Sequence, residues 1–301
     1  MTQSKNDKVK NKKPKKNNNG WAIGHWKKFF VKYGYTSDSP SPAEIKTAVT
    51  KLEILFQFDN TTTDEDIVKF MERPRCGNKD LGEKKGRNRK RVRRYDLNPG
   101  WRIKSFTYAF EKYSSDLTVQ RQDDIAAQAF QLWKNAVPEL DFTPVQNSDQ
   151  ADIKLSFEKG AHTGCAQAFD GTGPIIAHAY YPEDGRLHLD DEEVFTDQSI
   201  QGTNLYSVLV HEIGHVLGLN HSFVSGAIMN PVYQQFTGTL ALHEDDINGM
   251  RMLYAPNTAS DPTCVDQEPS LCAMYLAEGY CIPDFADVMI ETCPLSCNLC
   301  Q

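Results

Sequence analysis

Within His211-Glu212-Ile213-Gly214-His215-Val216-Leu217-Gly218-Leu219-Asn220-His221, the side chains able to do chemistry are three imidazoles and one carboxylate. Residues four apart on a helix share a face, so His211 and His215 can grip one ion together. Gly218 has no Cβ and can take a positive φ, which lets the chain leave the helix and bring His221 round as third ligand. Three neutral imidazoles leave a zinc ion's charge uncompensated and its fourth position open to water, whose pKa then falls to about 7. Glu212 sits next to a ligand without being one, which suits a general base toward that water and a proton shuttle to a leaving amine. The implied chemistry is metal-assisted peptide hydrolysis.

The long form of the motif is the metzincin signature, completed downstream by a methionine turn. Ala227-Ile228-Met229-Asn230-Pro231-Val232-Tyr233 fits, with Met229 as the turn methionine beneath the zinc. Upstream, Pro74-Arg75-Cys76-Gly77-Asn78-Lys79-Asp80 offers a thiol in a basic setting. On these motifs, residues 21–256 resemble the matrix metalloproteinases (matrixins), in which a propeptide thiolate occupies the zinc's open position and keeps the nucleophile away. The resemblance implies that Cys76 is this switch and that Arg75 pairs with an acid of the cleft. Lys79 stands where the family has proline, an exchange expected to loosen the loop. Arg91-Val92-Arg93-Arg94 has the shape read by furin-like convertases, so cleavage is expected after Arg94. The new amino group of Tyr95 would then bind Asp245 or Asp246.

The resemblance also implies a structural zinc held by His162, His178 and His188. The family's fourth ligand, an aspartate, is Gly164 here, and the neighbouring Cys165 is the candidate substitute; a buried free thiol is the alternative. Calcium ligands by resemblance are Asp170, Asp190 and Glu193 with carbonyls around Gly171, Gly173 and Ile175, an oxygen-rich set. The segment after Pro182 is shortened to Glu183-Asp184-Gly185, which argues against a second calcium. A peptide substrate would lie along an edge strand near Ile175–Tyr180 by strand addition. Its pocket would be walled by Pro231–Tyr233, with the small Ser207 leaving it deep enough for a long apolar side chain.

Several elements must position these groups. Residues 1–20 are Lys/Asn-rich with no apolar core, so they read as a basic disordered N-terminus rather than a secretory signal. Three short helical patterns follow: Trp21–Tyr33, a second with Pro42 in its first turn, and a third with Thr63 as N-cap. They make a small helical propeptide over 21–94, ending in a basic linker from 75 to 94 that carries the switch and the furin-like site. A catalytic domain over 95–256 has strand patterns at Trp101–Phe110, Asp152–Phe157 and Ile175–Tyr180. Its helical patterns are Asp123–Val137, Asn204–Leu217 and Glu244–Tyr254. The fold class is α+β, and the resemblance implies a twisted, mostly parallel sheet with three helices. The charge is split: residues 1–94 carry 24 Lys/Arg against 11 Asp/Glu, the remainder 9 against 29. That favours two halves that attract each other or a cation-binding second half over a nucleic-acid partner, and no run is long and apolar enough for a membrane span.

After a linker at 257–263, six of the eight cysteines fall between Cys264 and Cys300, which reads as a disulfide framework and an oxidising, extracellular compartment. Six cysteines allow 15 pairings. This tail resembles the ShK toxin-like domain, closing with Cys293-Pro294-Leu295-Ser296-Cys297-Asn298-Leu299-Cys300. That resemblance implies the pairs Cys264–Cys300, Cys272–Cys293 and Cys281–Cys297. Ile282–Thr292 lacks the Lys-Tyr pair of channel-blocking relatives, so a substrate- or matrix-binding role is expected instead. The whole then reads as the latent form of a secreted zinc endopeptidase acting on extracellular proteins, collagen among them, with calcium as a further cofactor. Its partners would be an activating furin-like protease and proteinaceous metalloprotease inhibitors. The rival reading is a binding protein in which the tail acts and the protease fold is a scaffold.

Overall fold

The computed structural model describes residues 20–59, 61–81, 97–98, 100–162, 164–255, 266–268, 271–272, 275, 288–289, 292–294 and 297, with side chains from Trp26 on. The expected cleavage point at Arg94 and Tyr95, and Cys264, Cys281 and Cys300, lie outside the described residues. The chain divides into two compact units, one ending at Arg73 and the other beginning at Pro74.

The first unit consists of three helices, α1 (Gly20–Lys32), α2 (Pro42–Leu55) and α3 (Asp64–Met71). Ser41 and Thr63 start α2 and α3 through full capping boxes, with Glu44 and Asp66 reaching back to the cap backbone. α1 packs against both α2 and α3, and Phe30, Ala48, Leu52 and Ile67 on these helices are fully buried.

In the second unit, β1 (Arg75–Cys76), β2 (Ser105–Lys112), β3 (Asp141–Pro144), β4 (Ile153–Glu158), β5 (Ile175–Ala179) and β6 (Arg186–Asp190) form one sheet, ordered β1-β5-β6-β4-β2-β3. All its pairings are parallel except β5 with β6. A small parallel pair, β7 (Phe195–Thr196) and β8 (Thr203–Asn204), leads into the helix that carries the histidine motif. The helices are α4 (Val119–Ala136), α5 (Leu205–Val216) and α6 (Glu244–Tyr254). α4 turns Ile125, Ala129, Phe130 and Trp133 inward, and the Trp133 indole donates to the Val210 carbonyl at 2.9 Å, locking α4 to α5.

Two strand expectations need correction. The strand read from Trp101 begins only at Ser105, because the Trp101 indole is committed to the Val216 carbonyl at 2.7 Å. The alternation of Ile153, Leu155 and Phe157 reads as a strand with one face in a core, but β4 is interior to the sheet, so consecutive residues Leu155, Ser156 and Phe157 are all buried. The stretch read as linker also starts later: Arg75 and Cys76 form a strand, and Asn78 and Asp80 are buried. In the cysteine-rich tail, Cys272 and Cys293 are disulfide-bonded and pack against Met289; Cys297 is also in a disulfide.

Candidate metal centre

α5 is almost wholly buried and starts from Asn204, whose side chain accepts from the Ser207 amide. Its spacing puts His211 and His215 side by side, with ring centroids 4.8 Å apart. The helix ends at Val216, and Gly218 takes φ +110°, which an L side chain rarely adopts. That exit brings the His221 ring to 4.7 Å from His215 and 5.4 Å from His211.

The ring orientations are set from behind. Nδ1 of His211 lies 2.7 Å from the Ile228 carbonyl, and Nδ1 of His215 lies 2.7 Å from that of Leu219. Each Nδ1–H donates to its carbonyl, leaving the Nε2 lone pair for an ion. His221 Nδ1 stands 3.1 Å from Asp80 Oδ1 without making a hydrogen bond to it. The Nε2 atoms of all three histidines are buried without a hydrogen-bond partner. Buried lone pairs left unsatisfied in this way cost free energy unless a cation takes them. With the Cys76 sulfur they form a group whose donor atoms all lie within 4.8 Å of one another, which fits a zinc ion. Burial holds His211 neutral, down to about 4, and pushes His215 and His221 down as well, the state a ligand requires.

Glu212 is 1% exposed, and burial raises its carboxyl to about 8. Burial also raises the Cys76 thiol, with the adjacent Glu212 charge adding to it. Beneath the histidines, Met229 is buried against Gly214. The turn holding Met229 is braced by Asp246, which accepts from the amides of Ile228 (2.9 Å), Met229 (3.1 Å) and His243 (2.9 Å). Asp245 accepts from the Ser222 hydroxyl at 2.7 Å.

The segment around Cys76 lies in a cleft with β-type bonds on both sides. Toward β5, the Arg75 amide donates to Pro174 (2.6 Å) and the Gly77 amide to Ala177 (2.8 Å). Toward the opposite wall, the Cys76 amide donates to Pro231 (2.9 Å), while the Tyr233 amide donates to Pro74 (2.8 Å). The loop around Lys79 is tied down on both sides. Asn78 exchanges two bonds with the Ala179 backbone, at 2.8 and 3.0 Å, and the buried Asp80 pairs with Arg75. Arg75 thus pairs with Asp80 of its own segment, where the resemblance leads one to expect an acid of the cleft. The Asn78 bonds to Ala179 and the bracing by Asp246, which the sequence offers only as an acceptor for the Tyr95 amine, escape sequence reasoning because no local periodicity points to their partners. A cavity of about 190 Å³ opens beside the histidines, lined by Ser207, Val208, Pro231, Tyr233 and Leu240.

A second group of donors gathers His162 and Cys165 from a loop, His178 from β5 and His188 from β6. Burial, with the neighbouring rings, pushes His178 to about 3 and His188 to about 4. The expected calcium ligands surround one turn: Asp170 accepts from the Ile175 amide (3.2 Å) and Glu193 from the Gly173 amide (3.1 Å). Burial, then its acidic neighbours, raises Asp190 to about 6, and its Oδ2 is buried without a partner, an arrangement a cation would relieve. Gly171 closes the turn at φ +73°. These carboxylates are not drawn together as tightly as the two histidine groups.

Comparison with known proteins gives the same outline. Residues 100–255 match the family model described as Matrixin, and residues 263–300 match the ShK domain-like model. Interstitial collagenase of Equus caballus is 39% identical over 69% of this chain and 42% of its own length. The hatching enzyme of Paracentrotus lividus is 34% identical over 79% of this chain and 40% of its own. Matrix metalloproteinase-19 of Homo sapiens is 34% identical over 80% of this chain and 46% of its own. The chain thus spans less than half the length of these relatives.

Proposed function

The chain belongs to the matrixin family, whose members use zinc, and from that premise we propose that it is a zinc endopeptidase held latent by Cys76. The observation that carries this reading is the convergence of three partnerless, buried Nε2 atoms and one free thiol beside Glu212, at the mouth of an apolar cavity.

His211, His215 and His221 would hold the zinc, which when bound would supply Lewis-acid chemistry and lower the pKa of a water to about 7. The peptide lies extended between β5 and Pro231–Tyr233, taking the backbone bonds that Arg75–Gly77 makes in the latent chain. The side chain after the scissile bond enters the cavity above Ser207, where the small residue leaves depth for a long apolar group. Glu212 receives the proton of the attacking water on a carboxylate oxygen and passes it to the leaving nitrogen. Burial raises the Glu212 carboxyl, which strengthens it as the acceptor in the first transfer.

Latency and catalysis compete for one cleft. While Cys76 occupies it, neither substrate nor nucleophile can enter; cleavage after Arg94 frees the segment and creates the Tyr95 amine for Asp245 or Asp246. A furin-like protease is the activator by the Arg91–Arg94 pattern. His162, His178 and His188 serve a structural zinc, and Asp170, Asp190 and Glu193 with the carbonyls of Gly171, Gly173 and Ile175 serve calcium. The setting is extracellular, with proteinaceous metalloprotease inhibitors as partners and extracellular proteins as substrates. A collagen-type peptide is the first to try, given the collagenase among the relatives.

The test measures hydrolysis of a quenched fluorescent collagen-like peptide by the full chain before and after furin treatment, with Glu212→Ala as control. Activity that appears on cleavage, disappears with chelator and is missing from the control supports the reading. An inactive, zinc-loaded, cleaved chain refutes it in favour of a binding role for the cysteine-rich tail.

A further inference from the structure

The cluster of His162, Cys165, His178 and His188 takes no part in the hydrolysis, and Cys165 is the one free thiol besides Cys76 among the described residues. Its dimensions are informative. In a tetrahedral site with Zn–N of about 2.05 Å and Zn–S of about 2.3 Å, two nitrogens stand about 3.3 Å apart and a nitrogen and a sulfur about 3.6 Å. His162 Nε2 lies 3.4 Å from His178 Nε2 and 3.1 Å from His188 Nδ1. The Cys165 sulfur lies 3.5 Å from His178 Nε2 and 3.0 Å from His188 Nδ1. Three of these four distances fall within about 0.2 Å of tetrahedral edges, and the sulfur–His188 approach is about 0.6 Å shorter.

Hydrogen bonding explains them poorly. His162 Nδ1 donates to the Gly160 carbonyl at 2.9 Å, so Nε2 presents a single lone pair to two neighbouring ring nitrogens. A cation at the centre satisfies all four atoms at once. The local backbone explains why sulfur completes the set. Gly164 takes φ +76°, and the Cys165 amide donates to the His162 carbonyl at 3.3 Å, closing a turn that returns the sulfur to the His162 ring. A side chain on residue 164 itself is strained by that positive φ, and its Cβ would lie 2.8 Å from Arg186 Nη1. Arg186 is held there by the Gly164 carbonyl, by Asp184 and by the Tyr180 ring beneath it. Cys165 is also the sole member able to carry negative charge; three neutral imidazoles alone would leave a divalent ion uncompensated.

We propose that Cys165 is a thiolate ligand completing a second, three-histidine, one-cysteine zinc centre that clamps the 162–165 turn to β5 and β6. The inference rests on reading this cluster as a structural metal site and deepens it by naming the fourth ligand. Because β5 is a wall of the cleft, the clamp supports the edge to which a peptide would add. A sulfur ligand also makes the centre softer than an all-nitrogen and oxygen set.

The test uses the full chain carrying Cys76→Ser, loaded with cobalt(II), and reads metal stoichiometry and sulfur-to-cobalt charge-transfer absorption. Two cobalt ions per chain with a charge-transfer band are expected. In Cys76→Ser/Cys165→Asp the expectation is two cobalt ions and loss of the band. Where that double variant fails to fold, alkylation of Cys165 in the Cys76→Ser chain, blocked by metal and released by chelator, is the supporting result. Two bound ions without a band, or alkylation indifferent to metal, overturns the assignment of Cys165. A single bound ion overturns the second metal centre altogether, while the catalytic site stands or falls on the peptide assay.

Discussion

Gly214, inside α5 between His211 and His215, gives a prediction that opposes local propensity to packing. Alanine in a helix interior is better than glycine by about 1 kcal/mol, so propensity alone favours Gly214→Ala. Packing forbids it: a Cβ there would lie 2.4 Å from the Met229 sulfur, 3.1 Å from the Met229 methyl and 3.1 Å from Trp133 Cζ2. Neither neighbour yields easily. Trp133 is fully buried and hydrogen-bonded to Val210, and the Met229 backbone is held by Asp246. Overpacking of a tight core costs about 1–3 kcal/mol, and a contact this short belongs at the upper end. The net expectation is a loss of about 2 kcal/mol, or a fall of about 4–8 °C in the thermal midpoint for a domain of this size. In a Met229→Ala background the main clash is gone, and the same substitution should stabilise by up to about 1 kcal/mol, a coupling of about 3 kcal/mol. Thermal unfolding of the four metal-loaded chains, followed by circular dichroism, measures the cycle. The reasoning is refuted if Gly214→Ala raises the midpoint of the parent chain, or lowers it equally in both backgrounds.

Three further outcomes follow from the same geometry. Asp246→Ala strands the part-buried amide of Ile228 and the buried amide of Met229, at about 1–3 kcal/mol each, so it should destabilise by about 3 kcal/mol and weaken zinc retention on dialysis; unaltered retention and stability would contradict the bracing role. Asn78→Ala removes two bonds to Ala179, about 2 kcal/mol together, and should speed alkylation of Cys76 in the uncleaved chain about 30-fold, as read by peptide mapping; an unchanged rate would show that Asn78 does not hold the segment. The cap carboxylates Glu44 and Asp66 are held below their ordinary values of 4.5 and 3.8, chiefly by backbone and hydroxyl bonds from Ser41 and Thr63. Lowered values mean that their stabilisation of α2 and α3 is present above the ordinary carboxylate range and lost as pH falls through the folded values. Carboxyl NMR titration should find both midpoints depressed, and midpoints at or above the ordinary values would refute the capping account.

How much of the centre was legible depended on range. The pairing of His211 with His215 follows from helical period, and the departure of the chain at Gly218 from the absence of a Cβ; both are local rules. The caps at Ser41 and Thr63 belong to the same class, since donor and acceptor lie three residues apart. The partner of Arg75 was misjudged although Asp80 is only five residues away, because nothing in residue spacing says whether a loop folds back on itself or reaches across a cleft. The strand from Trp101 was begun too early because its alternation is real but its indole answers to Val216.

The sequence by itself determined the kinds of donor atom available, the helical register that pairs two of them, and the chemical division between a basic first part and an acidic remainder. These are properties of side-chain type and of spacing within a few residues. Tertiary structure alone decided that Cys76 points its sulfur at His211, His215 and His221, that Cys165 meets rings from two strands, and that Gly214 admits no side chain. The atoms in those contacts are separated by 13 to 145 residues of chain, where no local periodicity relates them. Their meeting depends on sheet order and helix packing, and only the folded core sets those distances.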